Sequence, residues 1–500
     1  MTVDDLNESE RELVLAVLAG RFLDFSKERF SDETGETGET DETGETGEKP
    51  EIRGELLRRI MLGRFEWPGE VAADPRGIRL RGAHLVGGLD LAEIESSLPL
   101  WLLDCTADQP VRFTGAKLST VDLSGLVAPR LVADEVTIER SLTLRAARLG
   151  DGSHLAVHLG GARIGGLVNF SGAHLVNTAG AALQASNLRT GGGVFLNRGF
   201  RAEGTGEGGV VRLPGAVIGT MLNLSGATIR SPDGPALVAD YLQTGSNVML
   251  SDGFLAEGSR DSGTVRLIGA RIGGQLVCDG GQARAAEPGE LSLNLIQVRV
   301  AGELVLPASF PVGPIEVTGL TYRGEPQHAS LTEWLDMLAH RTTRYTSQPY
   351  FHLAAVQAGA GHERNARMIH IARHRDLLRR GDLGLRGRVW HRITGLTAGY
   401  GYRPGRALGW LVGTLALSVV LTFVAGALGL LGGCSLVEQA GLALNAATPL
   451  VKIGEARCTV DPGRGLGQAF IALGWVLQVL AWAFLTLFVA GFTGLMRRSP

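Results

Sequence analysis

Five hundred residues allow several domains, and a net charge of −3 excludes a global attraction to nucleic acid. Glycine, at 71 residues, has about twice its usual share but lacks collagen's three-residue period, so it marks many tight turns. The four cysteines (Cys105, Cys278, Cys434 and Cys458) form no CxxC pair, and the acidic N-terminus lacks an apolar stretch of signal-peptide length, which argues against cleavable export.

Charge is spread unevenly. Residues 1–66 carry 18 acids against 9 bases, while residues 362–406 carry 11 arginines against 3 acids. Residues 7–20 predict a helix with Leu13, Val14, Val17 and Leu18 on one face. Residues 31–48, built on Glu-Thr-Gly, hold no large apolar group and read as a disordered insertion. Residues 52–63 resume as an amphipathic helix suited to cap the first coil of a solenoid.

The central signal is a repeat. Gly215–Ala227 (GAVIGTMLNLSGA) has a near copy from Gly161 (GARIGGLVNFSGA) and a weaker one from Gly269 (GARIGGQLVCDGG), 54 residues apart each time. A fixed period of short apolar alternations separated by glycine predicts a β-solenoid, two coils of about 26–28 residues per repeat, over residues 77–325. Arg79, Arg112, His158, Arg212 and Arg266 stand between apolar pairs and form the expected outward basic ladder, a surface for an anionic ligand or a cytoplasmic protein. Gly165, Gly219 and Gly273 share a phase and predict corners with an unusual backbone angle.

Helices return at 326–406, a basic juxtamembrane neck opened by the capping box Ser330–Glu333. Ala407–Leu431 and Leu466–Leu495 are uncharged and long enough to cross a bilayer. Basic residues flank both outer ends, so the positive-inside rule places both termini in the cytoplasm and the 432–465 loop outside. The expected location is the inner (cell) membrane, crossed twice. Arg386, Arg388, Arg392, Arg403 and Arg406 are lipid-contact candidates. Cys434 and Cys458 are disulfide candidates in the outer loop. Gln478, within the second span, is expected to bond to Thr414, Ser418, Thr422 or another copy of the chain, which would make a homo-oligomer through the membrane helices. His362, His370 and His374 lie on one helix face, but solvated or lipid-facing histidines are the expectation there rather than a metal site.

Two stretches carry a resemblance. Val121–Gly125 (VDLSG) and Leu222–Gly226 (LNLSG) resemble pentapeptide-repeat coils, which implies a right-handed parallel β-helix. Gln348–Ala355, Gly361–Arg367, Gly399–Leu408 and the ending Leu487–Arg498 are similar to the C-terminal module of a bacterial membrane-protein family with such β-domains, whose members carry the label "membrane-associated oxidoreductase". The resemblance implies a redox activity. No cofactor motif, catalytic residue or metal ligand is read from the residues themselves, so none is predicted. The function expected is a non-catalytic membrane-anchored scaffold or sensor. A pore or transport component is the first alternative and the family's oxidoreductase label the second.

Overall fold

Apolar–polar–apolar triplets become two-residue strands whose alternate side chains point to opposite faces. The computed structural model describes residues 5–26, 49–67, 72–152, 154–258, 262–401, 404–431, 435–447, 460 and 465–496. The strands stack as a parallel β-solenoid of about nine turns, each turn passing four narrow faces. Faces 1 and 2 hold eleven strands each, and faces 3 and 4 nine each. One coil in the register of its successor reads Val121 beside Leu142 on face 1, Val127 beside Arg148 on face 2, Leu131 beside Val157 on face 3 and Thr137 beside Arg163 on face 4. The expected insertion at 31–48 lies outside the described residues.

Coil length is set mainly at one corner. Leu131 pairs with Val111, twenty residues earlier, but Val157, Leu183 and Val211 then follow at 26, 26 and 28 residues. Most of the added residues fall between faces 2 and 3, and the coils of Phe200 and Phe254 carry one more between faces 1 and 2. The face-2 strand grows from Val127–Ala128 to Arg148–Gly152, His174–Asn177 and Arg201–Gly204. The expected inward pairs are buried, among them Val157 and Leu159, Val211 and Leu213, and Val265 and Leu267. Cys278 joins the inward column of Phe170, Leu196, Leu224 and Leu250, and burial raises its thiol pKa well above the ordinary value.

The 54-residue period comes from two alternations. Leading into face 2, inward residues run Ala173, Phe200, Ala227, Phe254, Gly281, Phe310, small and large in turn. Phe254 and Phe310, two coils apart, stack at 6.2 Å and 11°, across the coil that carries Gly281. A methyl on Gly281 would lie 2.3 Å from the Leu250 carbonyl oxygen and 3.1 Å from the Phe310 ring. Between faces 3 and 4 every coil has a left-handed residue, alternately glycine and not: Gly161, Asn187, Gly215, Tyr241, Gly269, Gln297. A Cβ on Gly215 would meet Asn187 Oδ1 at 2.5 Å, and one on Gly269 would meet the Tyr241 ring at 2.8 Å. The larger residue lies over the glycine of the next coil, so two coils make one repeat.

Gly165, Gly219 and Gly273 correct the expectation. Their φ is not in the left-handed region. They are glycine because a Cβ would lie 2.0, 2.1 and 2.5 Å from the carbonyl oxygens of Glu139, Gly191 and Gly245 in the preceding coil. Between faces 1 and 2, Asp122, Asn169 and Asn223 accept hydrogen bonds from the N–H groups of Ser124, Ser171 and Ser225 at 3.0, 2.9 and 2.9 Å. That bond explains the Asp/Asn-x-Ser spacing in the sequence.

Both ends of the stack are covered. Helices α1 (Glu8–Leu18) and α2 (Gly54–Met61) form the N-terminal cap, and Leu23–Asp24 and Glu51–Arg53 add the first strands of faces 1 and 2. The stack therefore begins before Gly77. The Glu10 carboxylate is enclosed and takes Arg53 Nε at 2.8 Å and the Arg53 N–H at 3.0 Å. At the other end stand α3 (Leu331–His340), opened by the expected Ser330 capping box, and α4 (Gln348–Gly359). Their side chains replace a missing coil. Gln348 accepts from Gly319 N–H at 2.9 Å and donates to the Leu320 carbonyl at 3.1 Å, His352 Nε2 lies 3.0 Å from the Tyr322 N–H, and Arg341 donates to the Ala308 and Pro311 carbonyls. The chain divides after Gly361, so α3 and α4 belong to the solenoid unit, and His362–Pro500 forms a second unit.

Gly199→Ala meets no atom within 4 Å but keeps a φ of +84, so it should cost about 1–2 kcal/mol. Gly219→Ala places a methyl against backbone and should cost more, about 3 kcal/mol. Denaturation midpoints of the two variants check the ranking. Burial raises the pKa of Glu10, but hydrogen bonds from Arg53 and Asn7 and the Arg53 charge outweigh it and hold the carboxyl below its ordinary value. A depressed folded pKa gives stability that is present above the unfolded value and lost as pH falls through the folded one. Glu10→Gln should flatten that acid-range slope, and Arg53→Met, which strands the carboxylate, should cost about 3 kcal/mol at neutral pH. Unfolding measured across pH tests both.

Candidate functional site

The five outward bases do not share one column. Arg112, His158, Arg212 and Arg266 occupy face 3 on every second coil, with Val132, Gln184 and Val238 between them. Arg79 is on face 1 instead, its guanidinium 5.9 Å over Trp101 and bonded to the Gly20 carbonyl. Phase in the sequence could not separate the faces, because each of the four repeats the same inward–outward–inward triplet. Two of the face-3 bases are matched by an acid of the preceding coil: His158 lies 3.5 Å from Asp134, and Arg266 is ion-paired with Asp240. Burial, with the Arg130 charge, holds His158 below its ordinary pKa against the pull of Asp134.

A tighter basic group stands on face 2. Arg148, His174 and Arg201 occupy the same register position on three successive coils. With Ala146, Gly172 and Gly199 they line a shallow recess, and none of the three forms an ion pair among the described residues. The sequence reading missed them, although each directly follows a repeating inward residue (Ala147, Ala173 and Phe200). Further out on the lengthened strands the charges are paired: Glu203, Arg230, Glu257 and Arg284 form a ladder at 3.9, 3.0 and 3.8 Å. Gly204–Gly209 has the GxGxxG spacing, which the motif reading passed over. It links a face-2 strand to a face-3 strand with no helix after it, so it does not build a dinucleotide-binding turn.

The second unit holds the membrane-type features. Helix α5 (Glu363–Arg380) spends two of its arginines on its own buried acid: Asp376 takes Arg379 at 3.0 Å and Arg380 at 2.6 Å. Helix α6 (Leu385–Ala398) is different. Leu385, Val389, Ile393 and Leu396 are exposed at i, i+4, i+8 and i+11, beside an exposed Trp390. Arg386, Arg388 and Arg392 are exposed on the flanks of this apolar stripe. Arg406 Nη1 and Trp410 Nε1 of α7 (Pro404–Ala427) donate to the Gly395 and Leu396 carbonyls at the end of α6. Arg403 lies outside the described residues, as do Cys434 and Cys458. Leu431 and Val460, near those cysteines in sequence, form an antiparallel bridge.

Two helices are long and apolar enough to cross a membrane, over Gly405–Ala427 and Gly465–Ala490, and both are largely unburied. The first ends four residues before the expected Leu431, because Gly429 turns left-handed and Leu430 N–H returns to the Ala425 carbonyl. Trp410 stacks on Phe484 of α9 (Gly465–Met496) at 6.1 Å. The bonds expected within the chain from Gln478 are not formed among the described residues: Thr414 and Thr422 donate to carbonyls of their own helix, and Ser418 to Ala443.

His370 and His374 sit on α5 and His362 at its N-terminus, and no group of metal-ligating residues is assembled among the described residues. His374 instead stacks on Tyr400 at 4.5 Å and 9°, lies 5.5 Å from His391, and receives Arg373 Nη2 at 3.0 Å. Burial, with the charges of Arg373, His391 and His370, lowers its pKa to about 4. His374 should therefore stay neutral at pH 7 by imidazole NMR, and Arg373→Met should move its titration upward. Compared with protein-family models, curated proteins and solved structures, the chain has no match in any of the three.

Proposed function

We propose that the protein is a membrane-anchored scaffold or sensor that holds its β-solenoid on the cytoplasmic side of a bilayer. The observation that carries this reading is the pairing of two apolar, largely uncovered helices with the amphipathic basic helix before them. A core helix of a soluble protein buries its apolar side chains, but these helices leave Val420, Trp475, Val479 and Leu466 56–69 % exposed. At about 1.5 Å per residue, the 23 residues of the first span reach about 34 Å, enough for a hydrocarbon core of about 30 Å. Beside it, α6 lays its leucine stripe and Trp390 at the headgroup level, with Arg386, Arg388, Arg392 and Arg406 toward anionic lipid. The positive flanks orient both termini inward.

On the solenoid, the presented surface is the face-2 recess of Arg148, His174 and Arg201, which suits an anionic partner better than face 3, where acids already match two of the bases. The role is one of presentation rather than catalysis. A disulfide between Cys434 and Cys458 on the outer side fits the Leu431–Val460 bridge.

The full-length protein should resist carbonate and high-salt extraction, with tags at Met1 and Pro500 protected in intact cells. Extraction by salt alone, or tags reachable from outside, would sink the reading. Each arginine is worth about 1 kcal/mol near an anionic leaflet. Hydrogen exchange in α6 should then be slowed by anionic lipid in nanodiscs, up to roughly a hundredfold, and changing Arg386, Arg388 and Arg392 to Gln should remove the difference.

A further inference from the structure

The described residues between the spans, 435–447 and 460, do not form a plain loop. Helix α8 (Leu436–Ala447) packs back along α7. Ser418 Oγ donates to the Ala443 carbonyl at 3.0 Å, and both groups are buried. Nearer the end of α7, a Cβ on Gly426 would lie 2.7 Å from the Gln439 side chain. The two contacts fix the direction: as α8 runs from Gln439 to Ala443, it moves from the end of α7 toward its middle. Ser418 is nine residues before Ala427, so Ala443 lies about 14 Å below the end of α7 at about 1.5 Å per residue. That is close to half of a hydrocarbon core of about 30 Å.

The chain also returns to its starting level. Leu431, just past α7, bridges Val460, just before α9, and Leu430 and Leu431 with Ala425 make a buried cluster that Leu442, Val460 and Phe470 join. Entry and exit are thus side by side, with α8 between them. Composition agrees. The one charged side chain of α8, Glu438, sits in its first turn in a capping box with Ser435, and the remaining turns are apolar or amide. The hydroxyls of Thr414, Ser418 and Thr422, which would be costly facing lipid, form the strip of α7 that is buried, and each donates to a carbonyl.

We propose that α8 is a re-entrant membrane helix, entering from the side on which α7 ends and reaching mid-depth, where its partner is lipid acyl chain on one side and the hydroxyl strip of α7 on the other. This rests on the spanning of α7 and α9. It makes the second unit a span, half-helix, span module and not a plain hairpin, the layout in which membrane proteins place backbone at mid-depth under cover of protein.

Full-length protein with Cys434 and Cys458 changed to Ser is labelled with a small fluorophore at one introduced site, Leu444→Cys on α8 or Val420→Cys at the exposed middle of α7, and placed in phosphatidylcholine vesicles brominated at the chain centre. Quenching at both sites supports the proposal. Quenching at Val420→Cys with iodide-only quenching at Leu444→Cys overturns it and leaves the anchor standing. Absence of lipid quenching at Val420→Cys overturns the anchoring reading, and the re-entrant helix with it. Ser418→Leu, which fills the seat of α8, should cut lipid quenching at Leu444→Cys severalfold and leave Val420→Cys unchanged; equal loss at both sites counts against the proposal.

Discussion

The distance between neighbouring coils constrains everything else in the solenoid. Parallel strands stand about 4.8 Å apart, and four corners per turn must be rounded within that spacing. Two corners respond with glycine for different reasons. Between faces 4 and 1 the backbone of one coil runs so close to the next that a Cβ on Gly219 would strike the Gly191 carbonyl. Between faces 3 and 4 the residue is left-handed in every coil, and a side chain there lies over the next coil, so that glycine must alternate with Asn187, Tyr241 or Gln297. Sterics of a stacked backbone, more than any pairwise attraction, set the period.

The same constraint shapes the core. Side chains in one inward column are a coil apart, so phenylalanine cannot occupy every coil without its neighbours giving way. Ala173, Ala227 and Gly281 leave the room that Phe200, Phe254 and Phe310 fill. Interiors at close packing tolerate little mismatch in volume, and this alternation meets that demand while holding the corner alternation in phase with it. The ends of the stack present unpaired strand groups, which invite edge-to-edge association. Asn7, Glu10 and Arg53 close one end, and Gln348, His352 and Arg341 supply the hydrogen bonds of an absent coil at the other.

Function is a separate matter from this scaffold. The solenoid unit offers an outer surface on which some charges are matched, as in the ladder from Glu203 to Arg284, while the face-2 recess and the face-4 arginines Arg163, Arg189, Arg271 and Arg299 form no ion pair among the described residues. The second unit has the opposite character: its apolar side chains are uncovered along α6, α7 and α9, and the hydroxyls of α7 donate to backbone carbonyls. Such a distribution is stable where the surrounding medium is apolar. The proposed lipid anchoring and surface presentation rest on these two characters together.

Repetition and hydropathy are local properties, and the sequence alone carries them. The 54-residue repeat, the inward pairs, the Ser330 capping box and the two apolar helices were all legible, because each depends on side chains close in the chain. Which face a triplet occupies is not local. Arg79 and Arg112 each stand between two apolar residues in sequence yet lie on different faces, because the stacking of whole coils decides which face a triplet joins. The cause of a conserved-looking phase is hidden in the same way: Gly165 and Gly161 read alike, but one is glycine for lack of space and the other for its φ. The fold-back of α8 against Ser418 was likewise decided only in three dimensions, by the burial of a hydroxyl whose partner lies 25 residues away in the chain.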